Sequence, residues 1–398
     1  MFKLSIYISI VLFGLLFSCG SMVDENSFHS QPQNRSVFKD SLTLKEVGTF
    51  TLPLDSTIGF NNRSIYYFKG GNSGIISILN MLSQTVHLYE YKSRKLIKKI
   101  KLQKEGPNGV GSIKNASAHF MDCMDSLFIL NYSEQAIYLL NGDGVFLRKY
   151  DLKEKTTPIP IASTVNKIVK VGNQLVIPCH PMTNIYTKDM KLPSLIILDL
   201  RSGEKKTILT YPETYNKGAW LGFYKFIVSP LYNRNDSTLL ISFPVEPFIY
   251  RISTSGKIIN KEYVGSKFTE KTLPYSSEND YSYQKNIATN KINEYLGASS
   301  SFGSFWFFPR ENHYLREIWF SSEYNKSQNP ETNNNRVAFI ILDKNFNKKG
   351  EYELPMANKV YQTSISFVNE EGIHIGKIDE YKKNENSLTF GVFKIKQK

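Results

Sequence analysis

The chain has 398 residues, a formal net charge of +13 and 41% hydrophobic residues, with 24 tyrosines and 26 phenylalanines. This is the composition of a globular protein, and the abundance of aromatic residues favours strands over helices. The lysines are spread along the sequence rather than clustered and no nucleic-acid motif is present, which argues against nucleic acid as a partner. The length allows one large β-domain or two ordinary ones.

The N-terminus has the layout of a secretory signal peptide. A lysine at position 3 precedes an apolar stretch over residues 4–17, which is shorter than the roughly 20 residues of a spanning helix. The sequence LFSC at residues 16–19 resembles the lipobox, the site at which bacterial lipoproteins are cleaved and lipidated. We therefore expect a signal peptide over 1–18 and a lipid on Cys19. An ordinary signal peptide with an incidental cysteine is the alternative.

A lipid on Cys19 would attach the exported chain to a membrane, because each buried methylene contributes about 0.8 kcal/mol. Residues 19–41 are polar after the cysteine and lack periodicity, which is typical of a flexible tether. We expect a lipid-anchored protein of the bacterial cell envelope, with the outer membrane preferred. The choice between the periplasmic and the surface face of that membrane stays open.

A hairpin-like unit recurs through the rest of the chain. Each copy has an alternating apolar strand, a polar turn and a second strand, and most copies follow one or two further short strands. The clearest copies begin at Thr85, Ala136, Leu195, Phe248, Val337 and Leu388. Units of four short strands at intervals of about 50–60 residues are typical of propeller blades. Six copies predict an all-β fold, a six-bladed β-propeller over residues 42–398, with seven blades as the alternative.

The largest gap between copies decides between six and seven blades. Residues 265–298 within it are polar, and several apolar side chains have the spacing of a helix rather than a strand: Tyr281, Ile287, Ile292, Tyr295 and Leu296. We therefore predict a partly helical insertion near 265–298 in place of a seventh blade. The segment Leu42–Pro53 lies outside the six copies and is predicted to form the outer strand of the last blade, which closes the ring.

The stretch from Gly106 to Tyr150 resembles an NHL-type propeller repeat. LFILNYSEQAIYLLNGDG, from Leu127 to Gly144, fills the core of that repeat without a gap, with Asn131 at the usual aspartate and Ala136 at the usual arginine. The segment KEGPNGVG, from Lys104 to Gly111, is similar to a motif of the DUF4221 family of propeller lipoproteins in Bacteroides-type bacteria. The resemblance implies a propeller fold and an envelope location, and it implies no particular activity.

No enzyme signature is present. The six histidines form no compact metal-binding spacing, and no serine lies in a nucleophile-elbow motif. We predict no catalytic residue, no metal site and no cofactor. Whether the chain is an enzyme stays open, with a non-enzyme preferred. Cys123 and Cys179 are the cysteines that follow Cys19, and their positions fit either one disulfide bridge or two free thiols.

Two aromatic clusters outside the strand pattern are the best candidates for ligand binding. Thr214–Phe226 contains Trp220 and Tyr224, and Ser301–Phe320 contains Trp306 and Arg310. Tryptophan and tyrosine beside cations suit sugars, peptides or anionic groups. Packing between blades is the alternative explanation, since every propeller needs large apolar side chains there.

These observations favour a non-enzymatic binding or scaffold module on a membrane anchor. A propeller presents loops on two faces of a rigid disc, and function resides in those loops rather than in the fold. The partner class stays open among envelope protein, peptide and glycan. The alternative is an envelope glycan hydrolase or lyase that uses the propeller channel, which requires at least two titratable groups lining it.

Overall fold

In the part of the chain that the structure describes, the strands form six antiparallel sheets, each built mainly from strands that follow one another in the chain. β1 (Leu42–Pro53) is the first of these strands, and the α-helices α1 (Thr289–Ala298) and α2 (Ile378–Lys383) lie in connections between strands. The computed structural model describes residues 40–54, 58, 63–70, 74–113, 118–153, 158–181, 192–269, 272–276, 287, 289–321 and 335–398.

Blades 1 to 3 follow β1 along the chain. Blade 1 contains β2 (Arg63–Phe68), β3 (Ile75–Asn80), β4 (Thr85–Glu90) and β5 (Leu96–Lys101). Blade 2 contains β6 (Ala118–Cys123), β7 (Ser126–Asn131), β8 (Ala136–Leu140) and β9 (Phe146–Asp151). Blade 3 contains β10 (Ile159–Pro160), β11 (Val169–Val171), β12 (Gln174–His180), β13 (Pro193–Asp199) and β14 (Lys205–Thr210). Both β10 and β11 pair with β12, so they share the position of a first strand.

Blades 4 to 6 complete the ring. Blade 4 contains β15 (Ser229–Asn233), β16 (Thr238–Ser242), β17 (Phe248–Ile252) and β18 (Ile258–Tyr263). Blade 5 contains β19 (Ser301–Phe308), β20 (His313–Ser321), β21 (Asn335–Leu342) and β22 (Lys348–Leu354). Blade 6 contains β23 (Tyr361–Asn369), β24 (Gly372–Lys377), β25 (Ser387–Gln397) and β1.

The first strands of the blades surround a common axis. β2 contacts the first strands of blades 2 and 6, and β19 contacts those of blades 4 and 6. The fold is therefore a six-bladed β-propeller, as predicted, and the described ranges contain no seventh blade. The long gap before blade 5 holds α1 instead. No helix within these ranges is long and apolar enough to cross a membrane.

β1 closes the ring by pairing with the last strand of the chain. The antiparallel register runs from Leu42 opposite Gln397 to Pro53 opposite Ser387, with one irregularity between Glu46 and Gly48. The outer strand of blade 6 therefore comes from the start of the propeller sequence and its other three strands come from the end. This pairing joins the two ends of the propeller and confirms the closure predicted for Leu42–Pro53.

Alternating strand directions give the disc two different faces. Connections between blades and the turns between second and third strands lie on one face, which we call the crossover face. Turns between first and second strands, and between third and fourth strands, lie on the other face, which we call the turn face. The two long connections, 211–228 before blade 4 and 264–300 before blade 5, both lie on the crossover face.

The core consists of apolar layers between neighbouring blades. The second and third strands are buried on both sides, as in β3, where every residue is buried, and they carry near-continuous apolar runs. One layer joins Ile76 and Tyr89 of blade 1 to Phe367 and Phe390 of blade 6. Outer strands such as β5 instead have mostly exposed side chains, because they have a neighbouring strand on one side only.

Two buried polar side chains also join blades. The imidazole of His119 in β6 makes hydrogen bonds with Ser64 (Nδ1 to Oγ, 3.1 Å) and Ser77 (Nε2 to Oγ, 2.8 Å) of blade 1. Arg316 in β20 is fully buried and donates to acceptors in or beside blade 4, including the Ser242 hydroxyl (3.0 Å) and the Glu246 carbonyl (2.7 Å). Buried polar groups are costly without partners, so these hydrogen bonds fix how the blades align.

The glycine-rich segment Lys104–Gly111 forms the crossing between blades 1 and 2. Gly106 and Gly111 have positive φ angles, and a Cβ at Gly111 would lie 2.7 Å from Asn131 Nδ2. Asn131 donates to the carbonyl of Val110 over 2.9 Å, so this segment has a structural role.

Cys123 and Cys179 are both free thiols, with Cys179 buried and Cys123 exposed. Of the two arrangements that the sequence allowed, the structure therefore shows two free thiols rather than a disulfide bridge.

Candidate functional site

A loop of blade 3 crosses the central axis of the propeller. Residues 161–168 connect β10 to β11, and we call them the plug loop. The hydroxyl of Thr164 accepts a hydrogen bond from the backbone N–H of Ile65 in blade 1 (3.1 Å). The amide of Asn166 donates to the carbonyl of Val228 beside blade 4 (3.2 Å). Val165 packs against the apolar cluster of blades 5 and 6. A loop that reaches all of these blades must lie on the axis.

Lys167 gives the plug loop its only cationic side chain. Its Nζ lies 5.4 Å from the centre of the Tyr66 ring, and that ring packs edge-on against Phe120 at 5.0 Å. Burial lowers the pKa of Lys167 to about 8 and raises the pKa of Tyr66 above its ordinary value. Lys167 and Tyr66 are therefore titratable groups beside the plug loop, and the described ranges contain no group of three metal-ligating side chains. Since the plug loop joins several blades through these contacts, this arrangement favours a structural role.

The two long connections of the crossover face pack against each other. We call residues 211–228 and the described part of 264–300 the cap. Ala219 exchanges backbone hydrogen bonds with the other segment, donating to Ser276 (2.8 Å) and accepting from Tyr275 (2.7 Å). The hydroxyl of Tyr295 in α1 donates to the carbonyl of Leu273 (2.9 Å). The cap is therefore a small structure built from both connections.

Two glycines allow this close packing. A Cβ at Gly218 would lie 2.5 Å from the carbonyl oxygen of Ser276, and a Cβ at Gly222 would lie 2.7 Å from Leu296 Cδ2 in α1. Gly222 also has a φ of +85°, which favours glycine over residues with a side chain. The glycines of the 214–226 segment thus serve the contact between the two connections.

Lys225 lies at the centre of the cap. Its side chain is 1% exposed, its Nζ donates to the carbonyl of Ser300 over 2.6 Å, and it lies 5.4 Å from the ring centre of Tyr295. Burial lowers its pKa to about 7, because the apolar surroundings disfavour the charged form. The amine therefore connects the end of the insertion to the start of blade 4.

The two predicted binding residues of the cap have different environments. Trp220 is 4% exposed, its Nε1 donates to the carbonyl of Thr214 over 3.2 Å, and its ring lies 6.0 Å from that of Tyr215. Tyr224 is 71% exposed. Trp220 therefore packs inside the cap, whereas the side chain of Tyr224 is exposed at its surface.

The other two predicted residues lie elsewhere. Trp306 in β19 is 4% exposed and packs against Phe339 with ring centres 5.9 Å apart, so it belongs to the layer between blades. Arg310 is exposed in the turn between β19 and β20, on the turn face. The structure thus does not bring these two residues together with Tyr224. Cys19 lies outside the described residues.

Several exposed apolar side chains share the crossover face, and sequence reasoning missed three of them. Tyr224 is accompanied by Leu273 in the cap (53% exposed), Met356 before blade 6 (61%) and Leu82 in the β3–β4 turn (55%). In the sequence, a large apolar residue within a polar turn or loop would have indicated each of these three residues. Large apolar side chains exposed on the loops of one face are candidates for an interaction surface.

The family comparisons agree with this architecture. The sequence model of the family described as "Domain of unknown function (DUF4221)" matches residues 41–353. The chain belongs to the DUF4221 family. The crystal structure of a DUF4221 member from Bacteroides vulgatus is 18% identical, covers 90% of this chain and 99% of its own, and gives a TM-score of 0.74. The resemblance seen in Lys104–Gly111 is thereby confirmed.

A second solved structure is more distant from this DUF4221 chain. It is a predicted exported protein of Bacteroides fragilis, 14% identical, which covers 89% of this chain and 95% of its own with a TM-score of 0.54. At these identities, both structures establish the fold alone. A comparison with curated proteins finds no match.

Proposed function

We propose that this protein is an exported, lipid-anchored propeller that binds a protein or peptide partner on its crossover face. The observation that carries the proposal is the set of exposed apolar side chains on that face: Leu82, Tyr224, Leu273 and Met356. Tyrosine and methionine are enriched in protein interfaces. Trp220 and Trp306 are buried, and three of the four exposed side chains on this face are aliphatic or methionine, so a protein or peptide is favoured over a glycan.

The plug loop supports binding over catalysis. A hydrolase or lyase that acts through the channel needs an open axis with facing titratable groups, whereas residues 161–168 cross that axis and make hydrogen bonds with blade 1 and with Val228 beside blade 4. The loops of the crossover face remain the part of the molecule that is best suited to recognition, because they project from a rigid disc.

The lipid anchor rests on the sequence around Cys19. Its test is fractionation of cells that produce either the native chain or the Cys19→Ala variant. We expect the native protein in the membrane fraction and the variant in the soluble fraction. Retention of both proteins in the membrane fraction would contradict the anchor. In a separate experiment, protease is added to whole cells that produce the native protein. Digestion would indicate the cell surface, and protection would indicate the periplasm.

The partner site is tested by site-specific photo-crosslinking in the same cells. A photoreactive phenylalanine analogue replaces Tyr224, Leu273 or Met356 in three separate variants and Ile259, an exposed residue of β18 (45% exposed), in a matched control. We expect a discrete protein adduct from position 224, weakened by Leu273→Ser, and none from position 259. Equal adducts at both positions, or none at 224, 273 and 356, would contradict the proposed face.

A further inference from the structure

The outer edge of blade 1 carries a dense run of positive charge. Residues 92–104, which we call the basic edge, have the sequence KSRKLIKKIKLQK and contain no acidic residue. The cations are Lys92, Arg94, Lys95, Lys98, Lys99, Lys101 and Lys104. Over the full length of the chain the lysines are spread out, but the basic edge is a local cluster of positive charge.

Protection of an open strand edge explains only part of this pattern. Lysines on edge strands prevent pairing with other chains, but the basic edge also exposes two adjacent apolar side chains, Leu96 (36%) and Ile97 (48%). Neighbouring blade 2 adds Val145 (45%) and Leu147 (53%). A combination of cations and exposed aliphatic side chains is typical of surfaces that bind the interface of an anionic membrane.

The two blades form one continuous surface here. Lys98 in β5 makes an ion pair with Asp143 in the β8–β9 turn of blade 2 (2.6 Å). A Cβ at Gly144 would lie 2.8 Å from Ile100 Cγ2 of β5, so the turn packs directly on the strand. The turn that carries Val145 therefore lies beside Lys98 on the outer strand of blade 1.

The position of the basic edge relative to the start of β1 suits a membrane-attached chain. The guanidinium of Arg94 lies 5.2 Å from the ring centre of Phe50 in β1, and the segment with Cys19 joins the other end of that strand at Leu42. Eight residues of strand separate Leu42 from Phe50, about 26 Å. The composition of residues 19–41 predicts a flexible tether, and a flexible chain of that length has a root-mean-square reach of about 25 Å, which would allow an anchored molecule to place this edge on the bilayer.

We infer that the basic edge docks on a membrane surface that carries anionic phosphate headgroups, with Leu96 and Ile97 entering the interface. The inference rests on the proposed lipid anchor for proximity. In a ring of six, blade 1 lies opposite blade 4, which the cap precedes. Docking by the basic edge therefore leaves Tyr224 and Leu273 on the far side of the disc, accessible to a partner.

Vesicle binding tests the inference without the anchor. The full chain with Cys19→Ala is sedimented with vesicles of phosphatidylcholine alone or with about 30% phosphatidylglycerol. Three exposed lysines are replaced in the test variant, Lys92→Gln, Lys95→Gln and Lys99→Gln, and three exposed lysines of the crossover face in the control, Lys217→Gln, Lys359→Gln and Lys382→Gln. Both variants lose the same charge and keep the same N-terminal segment, so only the position of the charge differs.

We expect selective binding to the anionic vesicles, weakened roughly a hundredfold in the test variant, because each interfacial lysine contributes about fivefold. The control variant should bind nearly as well as the unmodified chain. Equal losses in the two variants, or equal binding to neutral vesicles, would overturn the inference. So would an effect confined to a soluble polyanion such as heparin, which would point to an anionic polymer.

Tryptophan fluorescence tests the aliphatic contact separately. In the Ile97→Trp variant the new indole should shift to shorter wavelength on addition of anionic vesicles, while Ile259→Trp on the rim of blade 4 should not shift. An unchanged spectrum at position 97 would contradict entry into the interface. These outcomes are independent of the fractionation of Cys19→Ala, so failure of the anchor and failure of the docking surface are distinguishable.

Discussion

Lys225 Nζ donates to the backbone carbonyl of Ser300 over 2.6 Å, joining segments that are 75 residues apart in the chain. The amine is buried, and its neighbours include the ring of Tyr295 in α1. This contact ties the segment before blade 4 to the end of the insertion before blade 5. It also places an ionisable group beneath the surface that we propose for partner binding, so the stability of the cap depends on pH.

The Lys225→Met variant should lose part of that dependence. The pKa of Lys225 is lowered to about 7 in the folded protein from about 10.4 in the unfolded chain. Between these values the unfolded state binds more protons, so stability rises with pH by up to about 1.4 kcal/mol per unit for this group. Urea unfolding at about pH 7 and pH 9 should show a smaller rise in the variant than in the native protein. Parallel changes in both proteins would exclude Lys225 as the source.

Gly222→Ala should loosen α1 from the cap. The new methyl would lie 2.7 Å from Leu296 Cδ2 at a φ of +85°, so strain and steric overlap add to each other. Hydrogen exchange of the α1 amides should accelerate relative to the native protein. Gly172→Ala is the matched control, because that glycine also has a positive φ (+58°) but nothing lies within 4 Å of a Cβ there. Similar exchange of α1 in both variants would mean that contact with Leu296 does not hold the helix.

The variants Trp220→Ala and Tyr224→Ala should distinguish a residue that stabilises the cap from a residue that contacts the partner. Removal of the buried indole of Trp220 should cost about 3–5 kcal/mol, whereas removal of the exposed ring of Tyr224 should change stability by less than about 0.5 kcal/mol. Tyr224→Ala should nevertheless reduce crosslinking of a partner from position 356. Thermal unfolding provides the first measurement. A large loss of stability in Tyr224→Ala would show that this residue supports the cap instead.

The architecture could be predicted from the sequence because propeller blades repeat. Alternating apolar strands at near-regular intervals indicated six blades, and the unpaired segment Leu42–Pro53 indicated how the ring closes. The plug loop could not be predicted, because its contacts with blades 1 and 4 connect residues that are distant in the chain. Its path results from the division of the first strand of blade 3 into β10 and β11, for which residues 161–168 show no periodic signal.

The candidate site was predicted only in part. In the segment Ser301–Phe320, sequence reasoning selected Arg310, which is exposed in a turn, and not Arg316, which is fully buried. The two arginines differ in position rather than in residue type, because Arg310 lies in the turn between β19 and β20 and Arg316 lies within β20. A bulge between Phe302 and Phe305 shifts the alternation of β19, and such shifts decide which side chains face a neighbouring blade. Trp220 and Tyr224 illustrate the same limit, since four positions separate a buried from an exposed side chain.

His119→Gln should make acid unfolding less steep. Burial lowers the pKa of His119 to about 3, whereas an unfolded histidine titrates near 6.5. As pH falls below about 6.5 the unfolded state gains a proton that the folded state does not, so this group removes up to about 1.4 kcal/mol per pH unit until pH approaches 3. The variant should be less stable at neutral pH, because the contacts with Ser64 and Ser77 are altered, and its stability should approach that of the native protein in acid.

Unfolding midpoints measured from about pH 7 to pH 4 test this convergence. Phe128→Leu is the control, because Phe128 is 2% exposed in the adjacent strand β7 and carries no titratable group, so its destabilisation should stay constant with pH. His374→Gln should converge as His119→Gln does, since burial also lowers the pKa of His374 to about 3. If the unfolding midpoints of His119→Gln and of the native protein differ by the same amount at every pH, protonation of His119 does not contribute to acid unfolding. Other groups would then be responsible for the loss of stability in acid.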